Sequence, residues 1–155
     1  MKPKHAEPTL ATNHKARRDY EVLETYEAGV ELKGTEIKSI RQHRVTIDDS
    51  FARIDGGQLF LYNMHVSPYV QGGRFNVEPT RPRRLLMHRR EINRLGGLLS
   101  QQHVTLIPLR LYEKHGLAKI ELAVGKGKRV FEKRDRIRER EADREIQRRM
   151  RHDVR

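Results

Sequence analysis

The sequence contains no cysteine and no tryptophan, and only nine of its 155 residues are aromatic, five Tyr and four Phe. Without thiols there is no disulfide, no cysteine nucleophile and no thiolate zinc site. So few aromatics make a weak case for stacking the bases of an extended single strand. No apolar run approaches the roughly 20 residues that span a bilayer. The opening MKPKHAEPTL lacks the apolar core of a signal peptide, so a cytoplasmic location is expected.

Positive charge is what the chain has in excess. It carries 33 Lys plus Arg against 21 Asp plus Glu, a net +12, with a pI near 10.4. Such a balance points to nucleic acid or an anionic surface. A membrane is the weaker candidate because no apolar face is broad enough to anchor the chain.

Half of the net charge lies in residues 125–155, with 13 Lys or Arg, 7 Asp or Glu and seven apolar side chains. This tail cannot offset about 1–2 kcal/mol of backbone entropy per ordered residue. Alone it is expected to be disordered or marginally helical. As a helix from about Asp135 it sets Arg136, Arg140, Arg144 and Arg148 at i,i+4 spacing, an arginine stripe that repels itself until a polyanion covers it. Glu132 with Arg136 and Glu145 with Arg149 are favourable pairs, and Ile146 with Met150 gives a thin apolar seam.

Three regions are expected: a flexible segment 1–12, a folded domain 13–124 and the tail 125–155. The domain shows short β-type runs at Tyr20–Tyr26, Gly29–Leu32, Thr46–Ile54, Leu59–Val66, Val104–Tyr112 and Leu117–Val124. Gly56-Gly57 and His115-Gly116 supply turn residues that tolerate positive φ. Thr35–Arg41 reads as two helical turns capped by Thr35, with Ile37 and Ile40 inward. Arg84–Leu99 spaces Leu85, His88, Ile92, Leu95 and Leu99 as an amphipathic helix, weakened at Gly96-Gly97. The 18 or so residues from Ser67 to Arg84 are too long for a plain connection. Six short strands with an inserted helix predict a mainly β fold, a small antiparallel barrel of the oligonucleotide-binding type.

No catalytic group stands out. The eight histidines show no HExxH or similar ligand spacing, and neither a metal nor a cofactor is expected. Asp48-Asp49-Ser50 suits a turn better than a metal site. Gly125-Lys126-Gly127-Lys128 lacks the spacing of a phosphate-binding loop. Binding features are stronger: Asn13 to Arg18 (NHKARR), then Arg81, Arg83 and Arg84, then Arg89, Arg90 and Arg94. A groove gathering these would bind phosphates with steep salt dependence. Recognition of structured RNA by shape and phosphate contact fits such a surface.

The segments NHKARRDY (13–20), YEAGVELKGTEIKSIR (26–41), DDSFARI (48–54), RPRRLLMHRREINRL (81–95), TLIPLRLYEKHGLAKIELAV (105–124) and GKGKRVFEKR (125–134) together resemble the bacterial SsrA-binding protein family, also called small protein B. The resemblance covers almost everything from Asn13 onward. It implies a barrel that grips the tRNA-like half of transfer-messenger RNA, with a tail that enters the decoding centre and empty mRNA channel of a stalled ribosome. The RNA would arrive with elongation factor Tu and GTP, and the protein would act as a noncatalytic monomer in trans-translation.

By position, the resemblance ties Asn13, Glu27, Leu86 and Lys119 to RNA binding, with Lys15, Arg17, Lys38, Arg41, Arg83 and Arg84 in the same interface, mostly as phosphate contacts. Glu27 would accept hydrogen bonds from base or ribose groups, or orient Lys15 or Arg17. Gly127, Lys128 and Arg129 match a hinge, and Glu132, Lys133 and Arg134 a decoding-centre element, with Phe131 placed to stack or to pack on the barrel. Glu132 and Arg129 depart from the usual residues but keep charge. Gly125 replaces a more usual Ala, and His14 a usual cation. A ribosomal protein with a basic extension is the competing reading, and an RNA-modifying or RNA-cleaving enzyme a third.

Overall fold

A computed structural model describes residues 7–128 and 140–150. The chain runs β1 (Thr9–Thr12), a single turn α1 (Ala16–Asp19), β2 (Tyr20–Val30), α2 (Gly34–Arg41), β3 (Val45–Thr46), β4 (Phe51–Asp55), β5 (Gln58–Tyr62) and β6 (His65–Val66). After a long loop holding a 3-10 turn at Gly73–Phe75 come β7 (Arg83–Leu86), α3 (Arg89–Gln101), β8 (Thr105–Lys114) and β9 (Leu117–Gly127). Residues 140–150 are helical.

The main sheet is antiparallel, in the order β1-β8-β4-β5-β7-β2-β9, and β9 also pairs with β8. That extra pairing closes β8, β4, β5, β7, β2 and β9 into a barrel and leaves β1 on the outer edge. Closure removes the free edges that an open sheet would expose. Both expected hairpins form. Gly56 and Gly57 (φ 59° and 77°) join β4 to β5, and His115 and Gly116 (φ 53° and 75°) join β8 to β9. Two positive-φ residues match the twist of the paired strands.

Period-two alternation fills the barrel. Leu59, Leu61, Leu85, Leu106, Leu111, Ile120 and Leu122 are fully buried in one cluster. α3 adds Leu95 to the same cluster, with Ile92 and Leu99 half-buried against it, and α2 contributes Ile40. A second, smaller cluster of Ala16, Ile107, Leu109 and Ala123 lies under α1, where an irregularity between Pro108 and Arg110 interrupts the β8–β9 register.

Several boundaries differ from expectation. Arg83–Leu86 is a strand, not the start of the helix, because its side chains alternate in, out, in, out. α3 therefore starts at Arg89, after His88 as N-cap, and continues through Gly96-Gly97. A Cβ at Gly97 would meet nothing, and the apolar face burying Leu95 offsets the glycine propensity cost of about 1 kcal/mol each. The run Tyr20–Tyr26 and the first two residues of Gly29–Leu32 belong to the single strand β2, which ends at Val30. Thr46–Ile54 and Leu59–Val66 are each broken, by the turn at Ile47–Ser50 and by Asn63 at φ 64°.

Residues 9–12, expected to be flexible, pair with β8. α2 has Lys33, not Thr35, as its N-cap, and its inward residues include Glu36 and Ser39 beside Ile40, with Ile37 half-buried. β9 runs past the expected boundary at Val124: Gly125, Lys126 and Gly127 pair with β2, and the Lys128 amide donates to the Asp19 carbonyl at 2.8 Å.

Candidate nucleic-acid interface

β2 lies between β7 and β9, and at Gly29 its two neighbours are Leu86 and Lys119. A Cβ on Gly29 would stand 3.4 Å from the Leu86 Cβ and 3.7 Å from the Lys119 Nζ. A glycine inside a strand here lets two flanking side chains close over the backbone. Glu27, two residues earlier, lies on the same face. Glu27, Leu86 and Lys119 thus line one cleft, together with Met87, His88 and Glu91. Leu86 is half exposed, an apolar side chain standing beside a cation at the rim.

A second cleft, of about 340 Å³, adjoins the first across Gly29, Leu86 and Lys119. Its apolar lining includes Val30, Leu32, Ile37, Ile40 and Leu117, and Arg41 and Glu113 also line it. The Arg41 Nη2 lies 3.5 Å from the Glu113 carboxylate.

Glu27 is not an isolated anion. The Tyr112 hydroxyl donates a hydrogen bond to Oε2, and the Lys114 Nζ lies 3.3 Å from the same oxygen. The bond from Tyr112 is the main reason that the carboxyl pKa falls below its usual value, with Lys114 acting in the same direction. Burial, then the hydrogen bond to Glu27, raises the Tyr112 hydroxyl. Glu27 therefore holds Tyr112 and Lys114, not the expected Lys15 or Arg17.

Asn13 is buried and fully engaged. Its Nδ2 donates to the Pro108 carbonyl at 2.8 Å, and its Oδ1 accepts from the amides of Lys15 and Ala16 at 3.1 Å. These bonds hold the entry to the basic turn α1 against β8. Lys15 pairs with Asp49 at 3.0 Å, and Arg17 is exposed, its carbonyl accepting from the Lys128 Nζ. The Asn13–Arg18 segment lines neither cleft.

Arg83 corrects an expectation outright. Its side chain is fully buried, with Nε and Nη2 donating to the Glu36 carboxylate and Nη2 also to the Pro79 carbonyl. Enclosed in this way, the guanidinium has no exposed surface to offer a phosphate. Arg84, one residue on, faces out beside Phe60 of β5. Lys38 is exposed on α2, its Nζ 5.4 Å from the Tyr69 ring centre.

On the tail side, Gly127 is a strand residue opposite Tyr20, without the positive φ of a glycine bend. The chain is therefore still part of the barrel where a hinge was expected. Arg140, Arg144 and Arg148 are exposed on the 140–150 helix, as are Ile146 and Met150. Arg129, Phe131, Glu132, Lys133, Arg134 and Arg136 lie outside the described residues, as does the expected helix start at Asp135.

Sequence reasoning missed Gly29, Tyr112 and Lys114. A glycine within the β2 pattern was the available signal for the first. The other two become visible only when β8 is laid beside β9 and β2. Among the described residues, no group of three or more His, Asp or Glu is placed to hold a metal ion.

The sequence model described as SmpB protein matches residues 10–152. The SsrA-binding protein of Carboxydothermus hydrogenoformans is 57% identical over 145 residues, covering 94% of this chain and 97% of that protein. The SsrA-binding protein of Desulforudis audaxviator is 59% identical over 142 residues, covering 92% and 93%. A solved structure described as "tmRNA-SmpB: a journey to the center of the bacterial ribosome" superposes with a TM-score of 0.64 at 48% identity, over 76% of this chain and 82% of that one. With the match spanning the barrel and most of the tail, this chain belongs to the SmpB protein family.

Proposed function

We propose that this protein binds the tRNA-like half of transfer-messenger RNA and brings it to stalled ribosomes as the RNA-binding adaptor of trans-translation. The observation that carries this reading is the convergence of Glu27, Leu86 and Lys119, drawn from three strands, around the bare backbone of Gly29. An apolar contact, a cation and a neutralised carboxylate acceptor there can read a base or ribose edge while Arg41 and Lys119 meet phosphates. The relatives are named for SsrA binding, and the solved neighbour is described with tmRNA and the ribosome.

In this reading the barrel holds the RNA, and the arginine stripe Arg140, Arg144 and Arg148 serves rRNA on the ribosome, with Arg129, Phe131, Glu132, Lys133, Arg134 and Arg136 between them. Delivery with elongation factor Tu and GTP, a monomeric state, a cytoplasmic site of action and the lack of catalysis belong to the same proposal. No helix among the described residues is long and apolar enough to cross a membrane.

The test is binding of the full chain to the tRNA-like portion of transfer-messenger RNA against a length-matched structured RNA at near-physiological salt. A large preference, lost in Lys119→Ala, supports the reading. Equal, salt-sensitive binding to both RNAs overturns it. Truncation after Lys128 then separates the roles, leaving RNA affinity intact while abolishing tagging of stalled peptides. Cutting at Gly125, the expected boundary, would remove three residues that pair with β2.

A further inference from the structure

The 67–82 loop is long, yet it is fastened and not slack. The Asn76 side chain clasps Tyr69, its Oδ1 accepting from the Tyr69 amide at 3.0 Å and its Nδ2 donating to the Tyr69 carbonyl at 2.8 Å. The Gly72 and Phe75 amides close the turns inside this clasp, and the Thr35 hydroxyl of α2 donates to the Phe75 carbonyl. A Cβ on Gly72 would come within 2.7 Å of the Asn76 Oδ1, so the clasp depends on glycine there.

This fastened loop holds large apolar side chains in water: Phe75 is 68% exposed and Val70 81%. Between the loop and the start of α2 lies a groove lined by Lys33, Lys38, Tyr69, Phe75 and Val77, with no acidic residue in its lining. Arg74 stands 5.0 Å from the Phe75 ring centre. Apolar rings framed by three cations complement a polyanion that carries bases, and a pre-ordered loop pays little entropy on binding.

The groove and the 340 Å³ cleft both border α2. Arg41 lines the cleft and Lys38 lines the groove, one helical turn apart on α2. Three residues along a helix advance about 4.5 Å, so one phosphate path can pass over α2 from Arg41 to Lys38.

We propose that this groove is a second contact site for the same RNA, seating an unpaired base against Phe75 and Tyr69 while Lys33 and Lys38 take the flanking phosphates. The inference rests on the functional reading above. It adds an independent specificity element, drawn from a loop that the Glu27–Leu86–Lys119 cleft does not use.

The experiment measures the affinity of the full-length chain for the tRNA-like portion of transfer-messenger RNA, with chemical probing of unpaired bases. Phe75 is exposed, so Phe75→Ala should fold normally. It is expected to weaken binding roughly five-fold or more and to unmask at least one unpaired base, with Phe75→Tyr restoring both. The double variant Lys33→Ala, Lys38→Ala should weaken binding and lower the salt slope by about two. Wild-type affinity and unchanged probing in these variants, with Lys119→Ala still impaired, would overturn the groove and leave the main cleft standing. A defect seen only on ribosomes, with isolated RNA bound normally, would also overturn it. If wild-type protein shows no preference for this RNA, the functional reading fails and the groove assignment with it.

Discussion

Glu36 on α2 and Arg83 on β7, 47 residues apart, form an ion pair that is almost completely enclosed, with Arg83 Nε 2.8 Å and Nη2 2.6 Å from one carboxylate oxygen. Arg81 pairs with the other oxygen, and the Lys33 amide donates to it at 2.9 Å. The pair ties α2 to the strand that carries Leu86, and so fixes the helix bearing Lys38 and Arg41 against the cleft.

Removing one partner leaves an uncompensated buried charge, so Glu36→Ala is expected to destabilise the fold by about 3–5 kcal/mol. Arg83→Met should cost similarly, and more than Arg84→Met, whose side chain is exposed. Urea unfolding monitored by circular dichroism reads the difference. If Arg83→Met kept full stability while losing RNA affinity selectively, a direct phosphate role for Arg83 would have to be restored.

The same pair predicts an acid limit. Burial alone would raise the Glu36 carboxyl, but hydrogen bonds from Arg81, the Lys33 amide and Arg83 outweigh it and the pKa is lowered from 4.5. A depressed carboxyl contributes stability above its unfolded pKa and loses it as pH falls through the folded value. Wild-type stability should therefore decline below about pH 4.5. Glu36→Gln should start lower at neutral pH and fall less steeply, with Glu27 and Asp55, both also lowered, supplying what acid sensitivity remains.

The three hydrogen bonds of Asn13 predict a positioning role. Asn13→Ala removes the acceptor for the Lys15 and Ala16 amides and the donor to Pro108, with an expected loss of about 1–2 kcal/mol. Asn13→Asp keeps the acceptor and should recover part of that loss. RNA affinity should follow the order wild type, Asp, Ala, in step with stability. A variant with full stability and lost affinity would instead make Asn13 a direct contact.

Glu27→Gln releases Lys114 from its carboxylate partner and weakens the bond from Tyr112. A freed cation raises affinity for any RNA, so the preference for the target over a length-matched RNA should fall. Tyr112→Phe should shift discrimination the same way. Competition binding at two salt concentrations measures it, and an unchanged ratio in both variants would show that the Glu27 charge plays no part in selectivity.

Much of this protein is local enough to read from the chain. The two hairpin turns follow from Gly56-Gly57 and His115-Gly116, since only residues at ease with positive φ close a two-residue loop. The apolar runs of β8 and β9 mark a barrel wall, and the tail's composition marks a segment that cannot form its own core. Leu85, by contrast, fits both a helical and a strand register. Only the vacancy between β5 and β2 decided for strand, because a barrel wall there satisfies backbone groups that a helix would leave unpaired to its neighbours.

The sequence by itself determined the charge, the turn positions, the β-rich class and the residue types of the candidate interface, because those depend on composition and short-range spacing. The tertiary structure alone decided which of the cations face outward. Arg83 and Arg84 are neighbours of one type, yet strand alternation and the carboxylate of Glu36 draw the first into the core and leave the second in solvent. It also decided that Glu27, Leu86 and Lys119 share a cleft, since their meeting depends on the register of β7 and β9 on either side of Gly29, set by closure of the barrel and not by any neighbouring residue.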